Sequence, residues 1–393
     1  MSTSRRLLLV NYEYPPLGGG GGNATMHIGR QLAAMGDTVH VLTSAWGDLP
    51  QETVDQGVRL HRIPALRRRA DRCSVAEMVA FMMSASSRVA RLIRAHDVEA
   101  VLAFFALPSA PVAWWAKRRT GVPYAVSLQG GDVPGFTPDQ LRHWHKLTGG
   151  LIRSLWRDAD AVAANSEGLA ALARVHTPEI AIDVIPAGVD ADTGTAKIDY
   201  DSHGPVKLLF VGRLVPQKGL DVLLEALSLL SRDARWTLTL AGDGPAWTSL
   251  VAQATRNGVL DRLKLLGWCS KEDLARIYRD ADVFVLPSRD EGMSNALLEA
   301  MATGLPVICT DVPGMRDVIT DGETGLIVPP EHPPALAAAL TTIMADTAAR
   351  AAMGRAARSH VARRFSWTRA AKNWRTILHR MADHPLHSER AAP

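Results

Sequence analysis

Two cations stand five residues apart in Gly212-Arg213-Leu214-Val215-Pro216-Gln217-Lys218-Gly219, directly after the apolar run 206–211. Arginine offers a planar fork of donors and lysine a point charge, so at a strand end before a helix they can close on one diphosphate. With a helix N-terminus behind them, they could neutralise a leaving phosphate without a metal. Two solvated loop cations are the alternative. Further on, Glu291 and Glu299 frame Gly292-Met293-Ser294-Asn295 and a run rich in Ala, Leu and Met. Glu291 precedes the helix and Glu299 lies about two turns inside it; at helical rise and turn the eight-residue spacing stacks the carboxylates about 12 Å apart on a broad shared face. That is too long for an acid/base pair and suits two ends of an elongated ligand. The amides of Gly292 to Asn295 open the helix and can receive an anion or hydroxyls. An N-cap acid and a satisfied structural Glu are the alternative.

The first half offers looser candidates. Pro15-Pro16 leads into five glycines, Gly18 to Gly22, where free backbone N–H groups could face an anion at a helix start. Gly19-x-Gly21-x-x-Ala24 meets a relaxed dinucleotide fingerprint, but the two prolines make the loop too long for its tight turn. Thr43 and Ser44 also stand where that site needs an acid, so a phosphate- or substrate-facing loop is the expectation. Gln129-Gly130-Gly131-Asp132 ends another apolar run, and its Asp132 either meets a sugar hydroxyl or caps the turn. The triplets Asp158-Ala159-Asp160 and Asp280-Ala281-Asp282 lack a third ligand nearby, so no metal site is expected there. Arg59, Arg62, Arg67, Arg68, Arg69 and Arg72 oppose Asp71 alone, next to an amphipathic stretch. Such a patch can meet anionic lipid or a phosphorylated acceptor, while a solvated loop is the commoner outcome.

These loops need a scaffold. Strands are expected at 7–11, 38–43, 58–63, 100–105, 124–128 and 161–165, then at 206–211, 237–241, 263–266, 283–286 and 306–310, with helical patterns between. That alternation is an α/β pattern with parallel sheets. Periodicity lapses over 191–205, which marks a boundary. The parts are 1–195, 206–365 and an Ala- and Arg-rich helical tail, 366–393, anchored by Phe365, Trp367 and Trp374. With 47% hydrophobic and 21% charged residues in 393, each half can bury a core, which excludes disorder. The formal charge of +4 is too small for a dedicated nucleic-acid binder. Three scattered cysteines (Cys73, Cys269, Cys309) give neither a disulfide framework nor a zinc site. The apolar run 7–10 is too short for a signal peptide, so a soluble cytoplasmic protein is the expectation.

Taken in order, Gly212-Arg213…Lys218-Gly219, Ala-Gly-Asp-Gly-Pro at 241–245 and Glu291-x7-Glu299 resemble the retaining glycosyltransferase family 4, also called group 1. The resemblance runs from the Pro-Pro-x-Gly-Gly-Gly loop to the carboxy-terminal Phe-Ser-Trp. It implies a GT-B fold: two Rossmann-like domains facing across a cleft, with the last helix crossing back to the first. The implied donor is a nucleotide-diphosphate sugar, bound mainly by the second domain; the acceptor, a glycan, lipid-linked or small-molecule hydroxyl, is bound mainly by the first. By that similarity Arg213 and Lys218 hold the diphosphate and Glu299 the ribose. Glu291, with Gly292, Met293, Ser294 and Asn295, holds the transferred sugar, while Gly19, Gly20 and Gly21 close over the phosphates. Transfer would need no metal or cofactor and would retain anomeric configuration. Many members carry His-Gly-x-Asp where this chain has Gln129-Gly130-Gly131-Asp132; glutamine hydrogen-bonds a hydroxyl but carries no charge. Asp132 keeps an acceptor-side role. The inner membrane face, reached through Arg67, Arg68 and Arg69, is the expected contact beyond the cytoplasm. A sugar-nucleotide epimerase, a phosphorylase and a non-catalytic nucleotide-sugar binder are the competing readings.

Overall fold

The computed structural model describes residues 4–70, 73–190, 196, 197, 199, 200 and 204–383, and the side chains among them except 138–141. The chain divides into two units, Met1–Gly188 with Trp367–Pro393, and Val189–Ser366. The division falls at Gly188, just before the expected 191–205 linker, of which 191–195, 198 and 201–203 lie outside the described residues.

The first unit carries eight strands. They are β1 (Arg6–Val10), β2 (Thr38–Ser44), β3 (Glu52–Asp55), β4 (Val58–Ile63), β5 (Ala100–Phe104), β6 (Tyr124–Leu128), β7 (Ala161–Ala164) and β8 (Asp183–Val184). Their order is β3-β4-β2-β1-β5-β6-β7-β8, parallel except for the β3–β4 pair. Leu7, Leu8, Leu9 and Val10 have no exposed surface, as befits a central parallel strand covered on both faces. One face is covered by helices Val75–Ala95 and Ser109–Thr120, the other by helix Gly20–Ala34 and the last helix, Trp367–Asp383. Trp367, Trp374, Leu378 and Met381 of that last helix join the core of Leu7, Leu9, Val39 and Val41. Arg375 and His379 fix it to Asp37 at 2.7 and 3.0 Å. The tail thus completes the first unit.

The second unit holds six strands: β9 (Val206–Val211), β10 (Trp236–Ala241), β11 (Leu263–Gly267), β12 (Val283–Leu286), β13 (Val307–Thr310) and β14 (Leu326–Val328). All run parallel in the order β11-β10-β9-β12-β13-β14. β9 lies between β10 and β12, so the connection reverses direction at the β9/β12 boundary. Open α/β sheets bind ligands at the carboxyl ends of strands at such a switch point. The loops after β9 and β12 are the two that carry Arg213–Lys218 and Glu291. The first sheet has the same switch at β1/β5, below the glycine loop. β3, β8 and β14 have no counterpart among the expected strands. Each has four residues or fewer; β3 and β8 at the edge of the first sheet and β14 at the edge of the second bury little, so their apolar pattern is faint.

Candidate active site

The pairing of β9 with β12 sets the two chemically loaded loops side by side, with Val283 opposite Leu208 and Phe284 opposite Leu209. After β9 the chain turns through Gly212 at φ 153° and closes a short 3-10 turn, Pro216–Lys218. Gly219 then enters helix Leu220–Ser228 at φ 63°. A Cβ on Gly219 would sit 2.0 Å from the Pro287 carbonyl oxygen, so only glycine lets the two loops approach this closely. Lys218 reaches back: its Cε lies 3.9 Å from where a Cβ on Gly212 would be, and its ammonium forms a salt bridge with Glu291. Ser288 donates to the same Glu291 oxygen at 2.9 Å. Glu291 is buried at 8% exposure, so its charge has to be met locally. Arg213 stands exposed beside this pair in sequence, its guanidinium without a hydrogen bond or ion pair among the described residues and its carbonyl accepting from Val215 N at 3.0 Å.

The segment 241–245 turns out to be a support. Gly244 packs so that a Cβ would be 2.3 Å from the Leu214 carbonyl oxygen, and one on Gly242 would be 1.9 Å from that of Gly212. Leu214 donates to the Asp243 carbonyl at 3.0 Å and accepts from the Ala246 amide at the same distance. Arg213 is thereby held between two tethered neighbours.

Glu291 precedes the helix that carries Glu299, as its place in the sequence suggests. The helix begins at Asn295, with Ser294 as its N-cap accepting from Leu297 N, and Glu291 precedes it in a buried loop. The 12 Å helical stacking expected from the spacing therefore does not apply; Gly292 and the Ser294 cap break the helix first. Gly292, Met293 and Ser294 are buried and Asn295 is partly so, with the first-turn amides of Asn295 and Ala296 lacking intrahelical acceptors. Glu299 is partly buried and accepts from the Tyr278 hydroxyl at 3.0 Å. Burial pushes its carboxyl above the usual range, against the pull of Tyr278 and Lys271. The native state thus holds this proton to higher pH than the unfolded chain. Its stabilising effect is complete below the unfolded value and is lost as pH rises through the folded one. Glu299→Gln is therefore expected to raise the melting temperature at neutral pH by about 2 °C and flatten its pH dependence. An unchanged melting profile between pH 4 and 8 would contradict this.

Arg289 is the residue that motif reading passed over. Its guanidinium spans Asp221 (2.7 and 2.9 Å), Glu331 (3.0 Å) and the Pro216 carbonyl, while its amide donates to Gln217 O at 2.8 Å. Gln217 returns a bond to Asp290 O at 2.8 Å. These contacts clamp the Lys218 and Glu291 loops together. The only hint in the sequence was its place beside Glu291.

In the first unit the helix takes up Gly20 onward, so Gly20, Gly21 and Gly22 form its first turn instead of an extended loop, and Gly19 is its N-cap. Gly19 and Gly20 are exposed, but Gly21 is buried where a Cβ would meet Phe105 at 2.4 Å. Close packing explains Gly21 where a phosphate contact was expected. Glu13 also receives the Gly19 amide at 3.4 Å, placing a carboxylate at this helix start. Asp132 is 7% exposed and accepts from Ala106 N at 2.7 Å, Gln129 N at 3.0 Å and Gly130 N at 2.9 Å. Burial raises its pKa in spite of those amides. With its oxygens accepting three backbone amides, Asp132 caps the turn, the alternative that the sequence left open. Gln129 donates to Ser127 Oγ at 2.7 Å. His145 is buried and contacts Gly131 O at 2.9 Å, a support for this turn that no local motif announces.

The aspartate triplets are structural. Asp160 pairs with Lys117 at 3.0 Å and Asp282 with Lys197 at 3.2 Å, and each also accepts a backbone amide. The arginine cluster is divided as well. Arg62 donates to Pro50 O and Thr53, and Arg67 is partly buried 5.9 Å above the Tyr12 ring. Arg68 and Arg69 are exposed, while Asp71 and Arg72 lie outside the described residues. Among the described residues no helix is long and apolar enough to cross a membrane.

Comparison with known proteins matches residues 197–360 to the family described as "Glycosyl transferases group 1". Residues 19–188 match the family described as "Glycosyl transferase 4-like domain". A glycogen synthase of Mycobacterium tuberculosis is 29% identical, covering 93% of this chain and 92% of its own. A GDP-mannose-dependent alpha-(1-6)-phosphatidylinositol monomannoside mannosyltransferase of Mycolicibacterium smegmatis is 30% identical over 73% of this chain and 78% of its own. Among solved structures, a sucrose-phosphate synthase from Thermosynechococcus elongatus superposes with a TM-score of 0.83 at 23% identity, covering 96% of this chain and 99% of its own.

Proposed function

Because this chain belongs to the group 1 glycosyltransferases and has their GT-B fold, we propose that it transfers a sugar from a nucleotide-diphosphate donor to a hydroxyl acceptor, retaining configuration and using no metal. The observation that supports this most is the Lys218–Glu291 pair beside Arg213, whose guanidinium has no partner among the described residues. In the transfer the bond from the sugar's anomeric carbon to the diphosphate breaks and a bond to the acceptor oxygen forms. The acceptor's proton passes to the departing diphosphate, which gains the charge. Lys218 and Arg213 meet that charge as it develops, the role a metal fills elsewhere. Glu291, with the amides opening helix Asn295–Thr303, holds sugar hydroxyls, and Glu299 holds the ribose. With Asp132 committed to the backbone, a diphosphate oxygen is the base in this reading.

The relative named as GDP-mannose-dependent supports a nucleotide-sugar donor. The acceptor in this reading is a glycan, a lipid-linked sugar or a small alcohol. Arg68 and Arg69 provide a peripheral contact with an anionic cytoplasmic membrane face, tested by vesicle co-sedimentation of an Arg68/Arg69→Ser variant. Arg289→Lys is expected to lower transfer about tenfold, because a point charge cannot span Asp221, Glu331 and Pro216 O together. Wild-type rates in that variant would remove Arg289 as a clamp. The reading as a whole is tested by melting the protein with UDP-, GDP-, ADP- and dTDP-sugars. One base class should raise the melting temperature by mass action, and its sugar should then appear on an acceptor. Conversion of the donor with no acceptor present would make the protein an epimerase instead. A requirement for inorganic phosphate would make it a phosphorylase.

A further inference from the structure

Three histidines meet in the first unit. His40 on β2 and His61 on β4 share one face of the sheet, since His40 pairs with Arg59 and Leu42 with His61. His96 caps helix Val75–Ala95, which packs on that face. One ring nitrogen from each lies within 4.8 Å of the others. His40 Nδ1 and His61 Nε2 are 2.9 Å apart, and Glu52 on the neighbouring β3 approaches His61 Nδ1 at 3.4 Å. His40 has no exposed surface and its Nε2 has no hydrogen-bond partner. The ring of His96, partly buried, forms no hydrogen bond among the described residues.

We propose that His40, His61 and His96 form a binding site for a late first-row divalent ion, zinc in the first place, with Glu52 orienting His61. Imidazole nitrogen is a preferred ligand for such ions. A carboxylate on the second nitrogen of a ligating histidine is the usual outer partner, and Glu52 stands there. A tetrahedral zinc with bonds of 2.0–2.1 Å keeps its ligand nitrogens about 3.3 Å apart. From a 4.8 Å spread, closure takes about 1.5 Å, within reach of ring rotation by His61 and His96 without moving a strand. Ring stacking is the competing reading, since His40 and His96 have centroids 4.3 Å apart. Stacking explains the ring contact but does not account for one ring nitrogen of each histidine converging within 4.8 Å. His40 lies near the start of β2, about 13 Å along the strand from Ser44 at its carboxyl end. An ion there ties β2, β4 and a helix end together and takes no part in sugar chemistry.

The test uses the full chain, stripped with a chelator and titrated with zinc chloride alone. One retained equivalent by elemental analysis is expected, with a rise in melting temperature of about 5 °C at saturation. His61→Gln and His96→Gln should each weaken binding at least tenfold, whereas His143→Gln, an exposed histidine elsewhere, should not. Both ligand variants should melt like the wild type without zinc. If His61→Gln fails to fold, His96→Gln alone decides, because it alters a partly exposed helix end. Absence of a zinc-dependent shift, or binding unchanged in His96→Gln, would overturn the proposal.

Discussion

Lys218→Ala is expected to lower kcat/KM for sugar transfer about 10³-fold, with most of the loss in kcat. Lys218 is the cation paired with buried Glu291, and a donor aimed at charge that develops in the transition state is worth about 10²–10³-fold when removed. The upper end applies because Lys218 carries a full charge and sits 14% exposed, where solvent screens it poorly. Removing it also leaves Glu291 buried with Ser288 as its remaining partner, so the melting temperature falls as well. Lys218→Met with Glu291→Gln separates the two effects. This double variant removes the orphaned charge and should recover stability without recovering transfer. Transfer within about threefold of wild type in Lys218→Ala would deny the residue its role.

Gly314→Ala is the second large effect, at a position that touches no ligand in this reading. A Cβ there would lie 1.8 Å from the Gly292 carbonyl oxygen and 2.7 Å from that of Glu291. The Gly314 amide donates to that same Glu291 oxygen at 3.3 Å. The added methyl therefore displaces the loop that carries Glu291, since backbone cannot rotate away as a side chain can. Overpacking of this kind costs about 1–3 kcal/mol. In a unit of this size that lowers the melting temperature by about 2–12 °C. Transfer should fall about 10²-fold even at temperatures where the protein stays folded, because misplacing a binding group by about 1 Å suffices for that. A melting temperature and rate both unchanged would show that the loop yields freely.

The central strands were legible because they are largely buried and read as nearly continuous apolar runs; β1, β5, β6, β9 and β12 stand within a residue of their expected bounds. The order of strands was not legible, yet it is what joins the Arg213–Lys218 loop to the Glu291 loop. Local motif spacing identified Lys218 and Glu291 but could not show that they pair, as the salt bridge joins residues 73 apart. It misled where it assumed regular helix geometry between Glu291 and Glu299, because Ser294 caps the helix later. For Asp132 it left a sugar contact and a turn cap open, and the structure shows the cap; Gly21, expected to face phosphates, packs against Phe105. Arg289, Gly314 and His145 act through contacts distant in sequence. Their types are ordinary loop and helix residues, so nothing local marked them.

The most direct measurement follows the anomeric proton during turnover in the presence of EDTA. The protein would be given the nucleotide sugar that most raises its melting temperature, together with an accepted alcohol, and the product read by proton magnetic resonance before it can mutarotate. The expected result is a product with the donor's anomeric configuration, formed at the same rate with and without chelator, and lost in Lys218→Ala. An inverted product, or turnover that stops with EDTA and returns with a divalent ion, would contradict a retaining transfer whose leaving group is neutralised by Arg213 and Lys218.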